Sequence, residues 1–357
     1  MNRSNMKSFR SGVLLVAGLM ALTGCALFGV GNRKIEGELV GYEGRPAWTQ
    51  VVPYGMVVIP SGTFHMGQSD EDIASSNINF NKQITIGGFY MDDTEITNNE
   101  YRQYTEFLKE LGEEGNDTTD YRFNADQAKM IADKKFFPDT AVWMRDFSHH
   151  MGDPLVQYYF FHPAFNDYPV VGVNWKQANL FCKWRTEFYN TSRVINGEVQ
   201  MPNFRLPSEA EWEFAARGGR DLAPYPWGGP YIRNMKGCLL ANFKPGRGNY
   251  YDDGYSYTAP AGSFFSNDYG LYDMSGNVSE WCADAFAEAS YPIVWDLNPT
   301  YYKATEPRKV IRGGSWKDIS FYLQTGTRSY EYEDTSKSYV GFRCAVTYLG
   351  RSSGEEF

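Results

Sequence analysis

The 357 residues are 42% apolar and 17% aromatic, enough for a sizeable core and too rich in Tyr, Phe and Trp for long disordered stretches. Leucine is sparse and long apolar helical periods are few, which favours short strands, turns and aromatic packing over a helix bundle. The formal charge is −9; residues 1–24 hold Arg3, Lys7 and Arg10 and no acid, so the remainder carries −9 − 3 = −12, which argues against nucleic-acid partners and against a basic membrane-binding patch.

In chain order, Lys7 and Arg10 precede an apolar run from Gly12 to Leu22. That run is too short to cross a bilayer as a helix and fits the apolar part of a signal peptide over residues 1–24. Leu22-Thr23-Gly24-Cys25 follows and resembles a bacterial lipobox, whose cysteine is lipidated after cleavage; a plain secretory signal with a chance cysteine is the alternative. Ala26 rather than Asp after Cys25 implies, by the same resemblance, an anchor in the outer membrane on its periplasmic face. Residues 25–50 then read as a lipidated terminus and tether, residues 51–349 as one domain, and residues 350–357 as a tail.

Inside the domain, Met56 to Pro60 and Gly62 to Gly67 read as two strands around a turn. Thr97 and Glu100 form a capping box that opens a helix running to about Leu111. Asn174 with Gln177, and Ser208 with Glu211, open two more, the last closing at Gly218-Gly219. Residues 112–168 are an insertion with a short helix near 125–133. Beyond Gly219 the chain is rich in Gly, Asn, Asp and aromatic residues and lacks a helical period.

Four cysteines follow Cys25: Cys182, Cys238, Cys282 and Cys344. An even number in an exported chain suggests two disulfides, in any of three pairings, with free core cysteines as the alternative. The four histidines, His65, His149, His150 and His162, are scattered without zinc-ligand spacing. Asp273, Gly276, Val278 and Glu280 can offer two carboxylates and two carbonyls, a set of oxygen donors that suits Ca²⁺; turns closed by side-chain hydrogen bonds are the alternative.

Eight landmarks occur in order: MVVIPSGTFHMG (56–67), YMDDTEITNNEY (90–101), YPVVGVNWKQANLFCKW (168–184), RLPSEAEWEFAARGG (205–219), YPWGG (225–229), GLYDMSGNVSEW (270–281), IRGGSW (311–316) and VGFRC (340–344). Together they resemble the formylglycine-generating (sulfatase-modifying factor) family. The resemblance implies an α+β, C-type-lectin-like fold, loop-rich with little regular structure. It implies structural calcium at Asp273, Gly276, Val278 and Glu280 and at Asn242, Phe243, Asp253 and Tyr255, and a disulfide between Cys182 and Cys344. A second family disulfide would fall at Ala216 and Thr325, which are not cysteines, so Cys238 and Cys282 are left as the other pair. The family's enzymes oxidise a peptidyl cysteine with two copper-binding cysteines shortly after Gly-Gly-Ser-aromatic. Here those places hold Asp318 and Leu323, and Tyr339 replaces an asparagine before Gly-Phe-Arg-Cys. A carboxylate and an alkyl group cannot make the bis-thiolate a soft Cu(I) ion prefers, so the expectation is a pseudoenzyme without catalytic residues or copper.

Residues 136–175 and 236–254, with the lipobox and GELVGYEGRPAW (37–48), further resemble the GldK/PorK lipoproteins of gliding motility and type IX secretion. That resemblance implies a structural ring subunit that self-associates and assembles with a GldN/PorN-like partner and other secretion components. Trp143, Tyr158, Tyr159 and Phe160 are candidate contact residues, with core packing as the alternative for each. Two other functions stay open on the sequence: a residual oxidase, and a lectin-like ligand-binding lipoprotein.

Overall fold

A computed structural model describes residues 48–68, 81–113, 125–146, 154–246, 249–288 and 293–352; the signal segment, Cys25 and the tether up to Ala47 lie outside them. The elements in chain order are β1 (Trp48–Thr49), β2 (Met56–Ile59), β3 (Gly62–Met66), β4 (Lys82–Ile86), β5 (Phe89–Asp92), α1 (Asn98–Glu113), α2 (Ala125–Ala132), α3 (Val142–Asp146), α4 (Leu155–Tyr158), α5 (Trp175–Ile195), α6 (Glu209–Arg217), β6 (Ser279–Ala285), β7 (Arg308–Arg312), β8 (Ser329–Tyr332), β9 (Val340–Gly341), β10 (Ala345–Thr347) and β11 (Arg351–Ser352). Residues 50–350 make one compact unit. The described part of the other unit is β1 paired antiparallel with β11. Among the described residues no helix is long and apolar enough to cross a membrane.

The helices begin where local chemistry says they should. At α1 the Thr97 amide donates to Glu100 Oε2 at 2.8 Å, and the Glu100 amide to Thr97 Oγ1 at 3.3 Å. Asn174 with Gln177 and Ser208 with Glu211 make full capping boxes for α5 and α6, and Gly218 ends α6 with φ of +58°. Each box satisfies amides that a helix start otherwise leaves unpaired.

The strands, in contrast, pair over long distances. β2 and β3 are neighbours in sequence but enter different sheets: β2 pairs with β5, which pairs with β10, while β3 pairs with β4. The largest sheet has the order β8-β7-β6-β9, with β6 and β9 parallel. Aromatic packing fills the space between. Tyr101 of α1 stacks on Phe181 of α5 at 5.5 Å, and Phe342 meets Phe181 edge-on at 5.4 Å.

Between Arg217 and Ser279 no helix or strand forms among the described residues, so side chains take over the backbone pairing. Asn267 Nδ2 donates to the Ala215 and Ala216 carbonyls at the end of α6, and its Oδ1 accepts from the Tyr269 and Leu271 amides. One residue thus closes the helix end and shapes the loop that follows.

Candidate functional site

Three loops converge on Asn277, which takes a left-handed backbone with φ of +59°. Its Nδ2 donates to Glu95 Oε1 at 3.1 Å and to the Ala259 carbonyl; its Oδ1 accepts from the Ala259 amide at 2.8 Å and from Asn242 Nδ2 at 3.2 Å. Its own amide donates to the Asn242 carbonyl, and its carbonyl accepts from the Trp316 amide. This buried amide therefore joins both expected calcium loops to the Gly-Gly-Ser-Trp run.

The expected ligand set around Asp273 is divided. Glu280 lies flat against Arg343, with two contacts of 2.7 Å, and accepts from Trp212 Nε1 at 2.8 Å. Asp273 instead accepts from the Gly262 amide at 2.6 Å. Burial pushes its carboxyl up to about 6. Glu95, absent from the sequence-based set, is held well above its usual range by burial and then by Asp273. Its Oε2 is buried without a hydrogen-bond partner. The Asp273 and Glu95 carboxyls are within hydrogen-bond reach of each other, an arrangement that a shared proton or a divalent cation would relieve. The sequence signal for Glu95 was slight: one acid between Thr94 and Ile96, just before a capping box.

At the other set, Asp253 accepts from the Phe243 amide at 2.9 Å and the Tyr255 amide at 3.1 Å, while Asn242 Nδ2 donates to the Tyr257 carbonyl. Asn242, Phe243, Asp253 and Tyr255 are thus one hydrogen-bonded loop, and burial raises the Asp253 carboxyl. Among the described residues no group of three or more His, Cys, Asp or Glu side chains converges in metal-binding fashion, so a cation here would rely on carbonyl and amide oxygens as well.

Beside Asn277 a cleft of 260 Å³ opens at Gly313 and Gly314. Ser315 Oγ donates to Asp318 Oδ2 at 2.6 Å, and burial raises the Asp318 carboxyl. Lys317 places its ammonium 3.4 Å from the Tyr339 ring centre. Burial lowers the Lys317 ammonium and raises the Tyr339 hydroxyl. Leu323 is fully buried, and its carbonyl accepts from Ser275 Oγ. None of the cleft-lining residues is a cysteine among those described.

The insertion packs against this region rather than projecting from it. Trp143 lies parallel to Trp316 at 6.3 Å and contacts Tyr159 at 4.9 Å. Asp146 accepts from both the amide and the hydroxyl of Ser338. Of the four candidate contact aromatics, Trp143, Tyr159 and Phe160 are buried and only Tyr158 is exposed. For those three the core alternative holds, because the insertion needs its own aromatic layer against the sheet.

The cysteines separate into a near pair and two single thiols. Cys182 and Cys344 face each other with sulfurs 3.5 Å apart, both buried. Contrary to the expected pairing, Cys238 and Cys282 are both free: Cys282 is fully buried on β6 while Cys238 is exposed. Cys238 sits in a turn built on Asn234, whose Oδ1 accepts the Cys238 amide. Being the two cysteines left over carries no geometric information.

Short sheets, long side-chain-tied loops and a welded Gly-Gly-Ser-Trp cleft define an α+β fold of the formylglycine-generating type. The sequence profile of the sulfatase-modifying factor enzyme 1-like domain matches residues 46–348, and the chain belongs to that family. The formylglycine-generating enzyme of Mus musculus is 30% identical over 311 residues, covering 82% of this chain and 75% of that one. The enzyme of the same name from Thermomonospora curvata is 30% identical, over 84% of this chain and 96% of that one. The inactive C-alpha-formylglycine-generating enzyme 2 of Bos taurus is 28% identical, over 84% and 90%. The solved structure of PvdO from Pseudomonas aeruginosa superposes with a TM-score of 0.57 at 21% identity, over 82% of this chain and 94% of that one. The family thus holds both active and inactive members.

Proposed function

We propose that this chain is a non-catalytic member of the family: a lipoprotein, anchored at Cys25 to the periplasmic face of an outer membrane, whose domain is a structural part of a larger assembly. The observation that carries the reading is the chemistry of the cleft. Where the oxidases are expected to hold two copper-binding cysteines, Asp318 is engaged by Ser315 and Leu323 is sealed in the core. Lys317 and Tyr339 stack beside them. A hard carboxylate, an ammonium and an alkyl group offer a soft Cu(I) ion no thiolate.

By its resemblance to GldK/PorK lipoproteins, the assembly is the type IX secretion and gliding machinery, with self-association into a ring and a GldN/PorN-like protein as partner. With Trp143, Tyr159 and Phe160 in the core, the large apolar side chains exposed on the described part of the insertion are Met144, Tyr158 and Phe161, each about half exposed. Affinity capture of the anchored chain from its native membranes is expected to bring down that partner. Tyr158→Ala with Phe161→Ala is expected to weaken the capture while leaving the thermal midpoint in place. Capture of the chain alone from native membranes contradicts the reading.

Calcium fits the two loops as a structural ion, with Asp273, Gly276, Val278 and Glu280 joined by Glu95 at one, and Asn242, Phe243, Asp253 and Tyr255 at the other. It would neutralise the sequestered carboxylates of Asp273 and Glu95 and tie together the loops that carry them. A chelator is expected to lower the melting temperature and added Ca²⁺ to restore it; a melting curve indifferent to both refutes the calcium sites.

A further inference from the structure

Residues 293–298 form a fixed apolar strip. The Thr85 amide donates to the Asp296 carbonyl and the Asn298 amide to the Thr85 carbonyl, a single parallel bridge at Leu297 that fastens the segment beside β4. Lys82 fastens it further through the Val294 carbonyl and the Asp296 carboxylate. Ile293, Trp295 and Leu297 are 67%, 85% and 63% exposed. A tryptophan this exposed on a fastened backbone is unusual for a surface that meets only water.

The strip lies at the end of the unit where the chain enters from its N-terminal side. Gln50, the first residue of the unit, accepts the Leu349 amide on its Oε1. The adjoining Tyr348 amide donates to the Gly88 carbonyl, and the Gly87 amide donates to Asn298 Oδ1 at 2.6 Å. Three hydrogen bonds therefore lead from the entry point to the strip, and Val51, Val52 and Leu349 beside that entry are exposed as well.

We infer that this end of the domain, led by Trp295, rests in the headgroup region of the bilayer that holds the lipid anchor. The inference rests on the anchored reading given above. The end of the domain at Gln50 is the part to which the anchored chain is joined. Twenty-four residues separate Cys25 from Gln50, at most about 80–90 Å of chain. The acidic body repels anionic lipid, so contact falls to uncharged side chains, and the one ion pair on the strip, Lys82 with Asp296, is neutral as a unit. Trp and Tyr favour the membrane interface, where the ring is apolar and its edge is wet.

The test uses the full lipidated chain reconstituted in vesicles of phosphatidylethanolamine with a brominated phosphatidylcholine, comparing wild type with Trp295→Phe. The wild type is expected to float with the vesicles and to lose fluorescence to bromine. In Trp295→Phe, with an unchanged thermal midpoint, that loss shrinks by the share of one of nine tryptophans. A chain that floats but shows the same quenching in both forms overturns the inference and leaves the anchor standing; the strip would then meet protein. A chain that does not float removes the anchor and the inference together.

Discussion

Two buried acids show how residue-level electrostatics sort structural groups from adjustable ones. Glu213 is fully buried, yet Arg217 and Arg312 outweigh burial and hold its carboxyl below the usual range. It also accepts the Gly67 amide, so it ties α6, β7 and the end of β3. Replacing it by alanine leaves two guanidinium groups short of a partner, and a loss of about 3–5 kcal/mol in denaturant unfolding is expected. Asp284 is the opposite case: burial, then Glu209, push it up to about 7, although its oxygens accept the Glu209 and Tyr301 amides. From about pH 4 to about pH 7 the folded chain keeps a proton that the unfolded chain has released, so this group's contribution to stability falls as pH rises through that window and is level above it. Relative to Asp284→Asn, the wild type is expected to lose stability between about pH 4 and about pH 7. A constant difference between the two proteins across that range refutes the assignment.

At the scale of elements, loops welded by tight backbone approaches carry the site. Gly276 has φ of +85°, and a Cβ there would stand 2.3 Å from the Asn242 carbonyl oxygen. Gly276→Ala is therefore expected to cost more than about 2 kcal/mol, read as a lower melting temperature; an unchanged melt would mean that the loops of Gly276 and Asn242 are not joined at this point. The helix starts at Thr97, Asn174 and Ser208 were legible because a capping box is written within four residues. Sheet membership was not: β2 and β3 look like a hairpin, but their partners lie elsewhere in the chain, and nothing local encodes that choice. The insertion misled for a related reason. Its aromatics are as consistent with a core as with a contact surface until Trp316 and Tyr257 are known to wait beneath Trp143. Glu95 escaped notice because its significance comes from Asp273 and Asn277, nearly two hundred residues away.

For the whole molecule, the oxidation state of the sulfurs separates the family-implied bridge from the rest. In the chain lipidated at Cys25, if Cys182 and Cys344 close to a disulfide, Cys238 alone of the four described cysteines reacts with a thiol reagent in the folded protein, Cys282 joins it on unfolding, and the near pair stays silent until reduced. Four reactive thiols in denaturant without reductant would exclude the bridge. The landmarks reported the domain because each is a short local phrase, whereas assembly depends on surfaces that no short phrase describes.

On the proposed reading, a fold that serves thiol oxidation in active relatives persists here with Asp318 and Leu323 where copper-binding cysteines are expected. The most direct test of that reading is to load the purified protein with Cu(I), supply a cysteine-bearing sulfatase peptide with oxygen and reductant, and follow the peptide by mass spectrometry. The account predicts an unaltered cysteine at every time point, beside an active relative that converts it. Appearance of the aldehyde product, dependent on copper and on this chain, would contradict it.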